Sequence, residues 1–346
     1  MTMAEERAAM TPSPVIDIVI CTYNRASGLD LMLENLSRQS CGDRAQWRVL
    51  VVDNASTDAT AEVVTRHRRR ALLQDLHYVF EPVPGLTAAR LRGARETTAA
   101  WIAFVDDDNF LEPTWLEAVT RAIRMHGDAG GIGGKVILDW EAKPPRYLKE
   151  FGFCFAAQDH GEADCIVDSL TGAGMVISRR ALLDCGWIGQ PLVADRVGAR
   201  LTSGGDVEMA QRVRAAGYDL WFVPDAVLRH RIPASRMTRR YLFRINCELG
   251  TSSAVIGLLT WPDDWQSWQQ MARDRRGHWY RLAMRGLRHA IRRRTGLTPA
   301  IAWACFALGF ARGVRQCEDL AGPRRAKLLG AAALHHRGDR ESCLPA

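Results

Sequence analysis

Apolar positions first gather at residues 15–20, VIDIVI, a β-branched run that follows Pro14 and stops at TYNR, and this predicts a strand. Leu29, Leu33 and Leu36 then recur at helical spacing within 29–39, behind Ser27-Gly28. WRVLVVD at 47–53 predicts a second strand, and NASTDATAEVV starts a helix with Ser56, Thr57 and Asp58 as candidate caps. HYVF at 77–80 is a third strand, 86–99 an Ala-rich helix, WIAFVD at 101–106 a fourth strand, and Pro113 to about His126 another helix. The strands are nearly continuous in apolar residues, as expected of strands covered on both faces. With the β-α alternation, this predicts a mostly parallel α/β sheet flanked by helices. Ligands of such sheets bind at the carboxyl ends of the strands. TYNR, DNAS and DDDN all fall there, so three separate loops are expected to meet at one crevice.

The middle of the chain is mixed. GGIGGKVIL predicts a Gly-rich turn and then a strand, and 140–165 has no clear period. LTGAGMVIS leads into a helix over 179–185, residues 205–216 form a helix stopped by Gly217, and YDLWFVP is a strand. Beyond 237 the pattern is helical. The run AIAWACFALGFA at 300–311 falls short of the ~18 residues of a spanning helix and predicts a buried or interfacial one. Residues 1–14 lack the apolar core of a signal peptide and carry Glu5 and Glu6, so a disordered leader is expected.

Composition narrows the class. With 346 residues, 47% hydrophobic and 25% charged, the chain is globular rather than disordered, collagen-like or a disulfide scaffold. Its 9 cysteines include no CxxC pair, which argues against zinc ribbons and points to a reducing, cytoplasmic setting. The net charge of +7 hides an asymmetry: residues 231–346 hold 21 Lys+Arg and 8 Asp+Glu (+13), leaving 25 and 31 (−6) for residues 1–230. A basic tail suggests a polyanionic partner, or simply a solvated basic face. In 278–294, Arg281, Arg285, Arg288 and Arg292 fall on one side of a helix and Trp279, Leu287 and Ile291 on the other. That pattern suits an anionic membrane surface, at the inner face of the plasma membrane, or a packing helix with a solvated arginine face. Few aromatic residues are interleaved with the basic ones, which disfavours nucleic acid.

Candidate chemistry sits in the polar loops. Asp106, Asp107 and Asp108 repel one another, so a cation or strong hydrogen bonding is expected to hold them. Hard oxygen ligands suit Mn²⁺ or Mg²⁺ bridging to phosphates. Asp53 could accept from a nucleoside or cap the next helix, and Arg90 could pair with Asp53, the acidic loop or a phosphate. Asp206 and Glu208 begin a helix, where a carboxylate stays ionised and can serve as a general base or merely satisfy the helix dipole. His230 could be a metal ligand or a structural histidine. RIPASRMTRRYLFR, with Arg231 and Arg236, could close over a diphosphate or face a membrane. GxxxxGK[ST], GxSxG and HExxH are absent, and no GxGxxG follows the first strand.

CTYNR at 21–25, VVDNASTDAT at 51–60, GLTAARLRGA at 85–94, FVDDDNFLEPTWL at 104–116, TGAGMVISRRAL at 171–182, GGDVEMAQRVRAAGY at 204–218 and VPDAVLRHRIP at 223–233 together resemble the family 2 glycosyltransferases. The resemblance covers roughly 15–245. It implies the GT-A fold over that span, with 246–346 as a helical basic C-terminal region. It also implies inverting transfer from a nucleotide-diphosphate sugar to a glycan, lipid-linked or small-molecule acceptor. By that resemblance Thr22, Tyr23, Asn24, Asp53 and Arg90 hold the nucleoside, Asp106 and Asp107 serve the donor, and Asp108, the second acid of the DXD motif, binds the metal with His230 nearby. Asp206 is the catalytic base, while Gly172, Gly174 and Trp187 border the acceptor. Where the family often has Glu-Asp this chain has Gly205-Asp206, and Glu208 is the nearest replacement acid. The alternatives are a sugar nucleotidyltransferase, whose Gly-rich first loop CTYNR does not resemble, and a non-catalytic membrane- or polyanion-binding protein.

Overall fold

The computed structural model describes residues 15–40, 46–73, 75–193, 195, 201, 203–259, 261, 264–293, 296–320 and 322, so the expected leader at 1–14 lies outside the described residues. The strands are β1 (Val15–Thr22), β2 (Gln46–Asp53), β3 (Leu76–Phe80), β4 (Trp101–Asp106), β5 (Asn109–Leu111), β6 (Gly131–Trp140), β7 (Cys165–Ile166), β8 (Met175–Ser178) and β9 (Leu220–Ile232). The helices are α1 (Ala26–Leu36), α2 (Thr60–Arg70), α3 (Leu86–Glu96), α4 (Trp115–Met125), α5 (Arg179–Asp184), α6 (Gly205–Ala215), α7 (Arg239–Leu259), α8 (Trp265–Arg293) and α9 (Thr298–Glu318). All the strands belong to one sheet ordered β3-β2-β1-β4-β8-β6-β9-β5, with β7 paired to β9.

The apolar strand runs explain the layering. In β1, Ile16, Ile18 and Ile20 enter one core cluster and Val19 and Cys21 the opposite one, so the strand is covered on both faces as its sequence requires. The β3-β2-β1-β4 half is parallel, and β8 runs antiparallel to both β4 and β6. Two expectations change here. GGIGGKVIL is strand from Gly131 onward rather than a turn and then a strand. At Gly134 any side chain would collide with the Ala226 backbone of β9, so the glycines there serve close strand approach. The short strand β5, which the acidic loop obscured, pairs antiparallel with β9. The irregular stretch resolves into a 3-10 segment, Arg146–Phe155, kinked at Phe151.

The C-terminal helices are not a separate appendage. Helix α7 runs uninterrupted through residue 245, where the domain boundary was expected. Helix α9 lies close against it because Gly309 and Gly313 face the carbonyls of Cys247 and Thr251. Trp303 of α9 packs on Phe151 and Phe153 of the 3-10 segment, with ring centroids 5.5 and 5.9 Å apart, and stacks on Trp279 of α8 at 5.6 Å. No described helix is long and apolar enough to cross a membrane.

Candidate active site

Parallel register lines up the carboxyl ends of three strands. Thr22 of β1 stands opposite Asp53 of β2, and Cys21 opposite Asp106 of β4. The buried Asp53 accepts from the Ser56 N–H at 2.9 Å and from the Tyr78 hydroxyl at 2.8 Å. Asn24 takes a left-handed turn (φ 49°), where its side chain accepts from the Thr57 N–H at 2.7 Å. These bonds tie the TYNR loop to the DNAS loop. Asn54, not singled out from the sequence, extends the tie: it donates to the Val83 carbonyl at 2.6 Å and accepts from Gly85 N–H at 2.7 Å, just ahead of α3.

The three acidic residues have separate fates. Asp106 is partly open to the cleft, with Arg90 3.8 Å away. Asp107 turns inward, accepting from the Thr22 hydroxyl at 2.7 Å and pairing with Arg25 at 3.2 Å. Its burial pushes its pKa up to about 7 despite the pull of Arg25. Asp108 meets Arg25 at 3.0 Å, Arg236 at 3.3 Å and His230 Nε2 at 3.5 Å. Burial alone would raise Asp108. The hydrogen bond and charge of His230, with Arg236 and Arg25, overcome it and hold the carboxyl well below the usual range. The β5–β9 pairing puts Asn109 opposite His230 and so delivers that histidine to Asp108. His230 Nδ1 donates to the Phe155 carbonyl at 2.7 Å, which turns Nε2 toward the acidic floor. Two carboxylates and an imidazole are a donor set that suits Mn²⁺ or Mg²⁺. Among the described residues no group of three or more His, Cys, Asp or Glu side chains is placed to hold a metal ion.

Asp206 occupies the first turn of α6, and its Oδ2 accepts the Gly172 N–H at 2.7 Å. A Cβ at Gly172 would sit 2.8 Å from that oxygen and 2.9 Å from Arg90 Nη2, so only glycine lets the two walls approach. The acid behind Asp206 is Asp195. This buried residue accepts the Gly205 N–H at 2.9 Å on Oδ1 and pairs with Arg90 at 3.2 Å through Oδ2. A side chain at Gly205 would overlap the Asp195 carboxylate. Glycine is therefore required where the family pattern often has glutamate.

Thr22, Tyr23, Arg90, Asp106, Asp107, Asp108, Gly172, Asp206, His230 and Arg236 all line one cleft of about 380 Å³. Arg25, Asp195, Phe153, Phe155, Tyr241 and Leu249 join them. Arg25 and Asp195 were legible only as ordinary charged residues, and the aromatic wall arrives from distant elements. Four expected positions are corrected. Glu208 is fully buried and accepts from the Leu192 and Val193 N–H groups and from Arg212, so it clamps a loop instead of replacing the missing acid. Trp187 lies in the core beneath the sheet, because its large indole is buried among strand side chains. Gly174 (φ 68°) faces Leu228 and Trp115 rather than the cleft. The Arg231 side chain points to solvent, and only its backbone N–H reaches the site, donating to the Asp108 carbonyl at 2.8 Å.

The layered sheet and this cleft define a glycosyltransferase of the GT-A fold class. Residues 17–185 match the family model for glycosyl transferase family 2. Two curated relatives are similar over longer stretches. The succinoglycan biosynthesis protein ExoM of Rhizobium meliloti is 26% identical over 66% of this chain and 70% of its own length. The glycosyltransferase AglE of Haloferax volcanii is 30% identical over 62% and 66%. In fold, the chain is similar to a mannosyltransferase of Pyrobaculum calidifontis solved with GDP-Man and Mn²⁺ (TM-score 0.51, 18% identity, covering 95% of this chain and 85% of that one). The family match thus rests on residues 17–185, just under half of the chain.

Proposed function

We propose that this enzyme transfers a sugar, with inversion, from a nucleoside-diphosphate sugar to an acceptor hydroxyl in glycan assembly, using Mn²⁺ or Mg²⁺. The observation that carries the reading is that the acidic floor (Asp106, Asp108) and a hydrogen-bonded carboxylate at a helix start (Asp206) line the same cleft. The names of the relatives, a succinoglycan biosynthesis protein and a glycosyltransferase, agree with it.

Thr22, Tyr23, Asn24 and Asp53 bind the nucleoside. Asp53 is buried beside the cleft and already accepts two bonds, but a carboxylate offers about four lone-pair sites, which leaves acceptor capacity for a base or ribose donor. Asp108, with Asp106 and His230, holds the metal, which when bound supplies positive charge at the diphosphate. Arg25 and Arg236, both on Asp108, add charge that offsets the negative charge of the departing diphosphate. The Gly172 N–H fixes one oxygen of Asp206 at the start of α6, leaving the other for the acceptor. Asp206 takes the acceptor proton as the bond from the acceptor oxygen to the anomeric carbon forms and the bond to the diphosphate breaks. Phe153, Phe155 and Tyr241 give the cleft an aromatic side on which acceptor sugar rings can lie. The same reading brings the C-terminal helices to a membrane surface.

Asp206→Asn tests it. Asn keeps an oxygen for the Gly172 N–H but cannot take a proton, so transfer should fall by ~10²–10⁴-fold. Nucleoside diphosphates should still raise the melting temperature in Mn²⁺. Normal transfer by the variant, or no nucleotide-dependent shift in the parent, refutes the reading.

A further inference from the structure

The outer face of α8 and α9 carries an apolar cleft that the transfer chemistry does not use. Tyr280, Met284 and Leu287 of α8 and Ile301, Ala304 and Leu308 of α9 line a cleft of about 640 Å³. It is walled almost wholly by apolar atoms, with Arg276 as the charged residue at its edge. Leu308 is 69% exposed, Tyr280 63% and Ile301 42%. From Thr298 to Ala311 helix α9 carries no charge at all. Its inner side, with Phe306, Gly309 and Phe310, is buried against α7 and α8, so its outer side is apolar without a described neighbour. An apolar patch of this kind on a folded domain is unusual unless something covers it.

The charges beside it select the cover. Arg281, Arg285 and Arg288 are exposed on the adjacent flank of α8, and no acidic residue occurs between Arg275 and Arg293. We infer that the α8–α9 face, with its apolar cleft and arginine flank, seats the protein on an anionic phospholipid bilayer. Leu308, Ile301 and Tyr280 enter the acyl boundary, and the arginines, on long flexible stems, reach the phosphates. The other covers are charge-mismatched. A second copy would bring its own arginine flank to this one. Residues 321–346, outside the described part, carry 5 Lys+Arg and 2 Asp+Glu (+3), the same sign as the rim. The face differs from the one expected of 278–294 alone. Trp279 turns inward onto Trp303 and Phe306, while Ile291 is exposed and the Arg292 side chain lies outside the described residues. The inference deepens the membrane part of the proposed function and rests on none of the transfer chemistry.

Flotation of the full chain with vesicles tests it. Phosphatidylcholine vesicles containing phosphatidylglycerol should bind the protein, and pure phosphatidylcholine vesicles much less. Leu308→Glu should weaken binding by at least about tenfold, the equivalent of withdrawing one leucine from an apolar phase. Arg281→Gln with Arg288→Gln should weaken it at low salt and make it less salt-sensitive. Leu308 is exposed, so the fold should tolerate the change. An unchanged melting temperature checks this, and Leu308→Gln is the milder variant. Undiminished flotation of Leu308→Glu overturns the surface while leaving membrane binding elsewhere. Absence of flotation by every form overturns both. Self-association that Leu308→Glu abolishes, or flotation that appears only after residues 321–346 are removed, assigns the face to another occupant and also overturns the inference. The Mn²⁺-dependent nucleotide shift, read on the same samples, reports the donor reading separately.

Discussion

Asp195 and Gly205 form a steric and electrostatic unit, and a double-mutant cycle can measure it. Asp195 bridges Arg90 to the first N–H of α6, so it joins the donor wall to the helix that carries Asp206. Asp195→Ala removes the nearer carboxylate paired with the buried Arg90, leaving Asp106 at 3.8 Å and the charge of Asp206, and removal of one partner from a buried pair costs about 3 kcal/mol. Gly205→Ala places a methyl group on the Asp195 carboxylate, and overpacking of that kind costs about 2 kcal/mol. If the two losses were independent, the double variant would lose about 5 kcal/mol. The geometry says otherwise: the three atoms nearest a Cβ at Gly205 all belong to the Asp195 carboxyl group, and Asp195→Ala removes it. In that background Gly205→Ala should be neutral or should stabilise by about 0.5 kcal/mol, because alanine is the better helix residue. The double variant should therefore lose only about 3 kcal/mol, a coupling of about 2 kcal/mol, with a reversed sign for the second substitution. Urea unfolding of the four proteins at constant m gives these values. Additive losses would refute the argument that Asp195 is why position 205 is glycine. Transfer rates of Gly205→Ala should fall as well, since a displaced Asp195 releases the start of α6.

Other consequences are simpler to check. Asp108→Ala should abolish the Mn²⁺-dependent part of the melting shift with nucleoside diphosphates, and an intact shift would remove Asp108 from the metal site. Glu208→Gln puts an amide where two backbone N–H groups and Arg212 need an acceptor, so unfolding stability should drop by about 2 kcal/mol. At temperatures where the variant is folded its transfer should stay near the parent's rate, and a hundredfold loss would restore Glu208 to the chemistry. Burial pushes the Cys21 thiol up to about 12, with Arg90 lowering it only in part. Its thiolate is scarce at pH 8, so iodoacetamide should label it far more slowly in the native protein than after unfolding, with a rate that climbs as pH rises. Equal native and unfolded rates, read by mass spectrometry, would contradict its burial.

What the sequence disclosed and what it hid divide along a physical line. The parallel half of the sheet was readable because Ile16 to Ile20 and Val49 to Val52 are apolar on both faces. The loops that follow such strands must meet at one edge, so Asp53 and Asp106 were placed without coordinates. The divergence within Asp106-Asp107-Asp108 was not readable. It depends on Thr22 drawing Asp107 inward and on β9 and the turn after it delivering His230 and Arg236 to Asp108, and a local string carries no sign of partners 85 or 128 positions away. Glu208 and Trp187 misled for a related reason. A carboxylate in the first turn of a helix and an indole after a glycine look alike whether they face a cleft or a core, and burial alone separates them. Position 205 carried a signal that could have been used: a glycine directly before the candidate base implies that something else fills the space of its side chain. Identifying the filler as Asp195 required the loop ahead of α6 to fold back beneath Arg90. The charge pattern of 278–294 likewise named an anionic partner, but not the surface that meets it. Helix α9 decides that, because its uncharged outer side becomes half of the apolar face only when its glycines let it settle against α7.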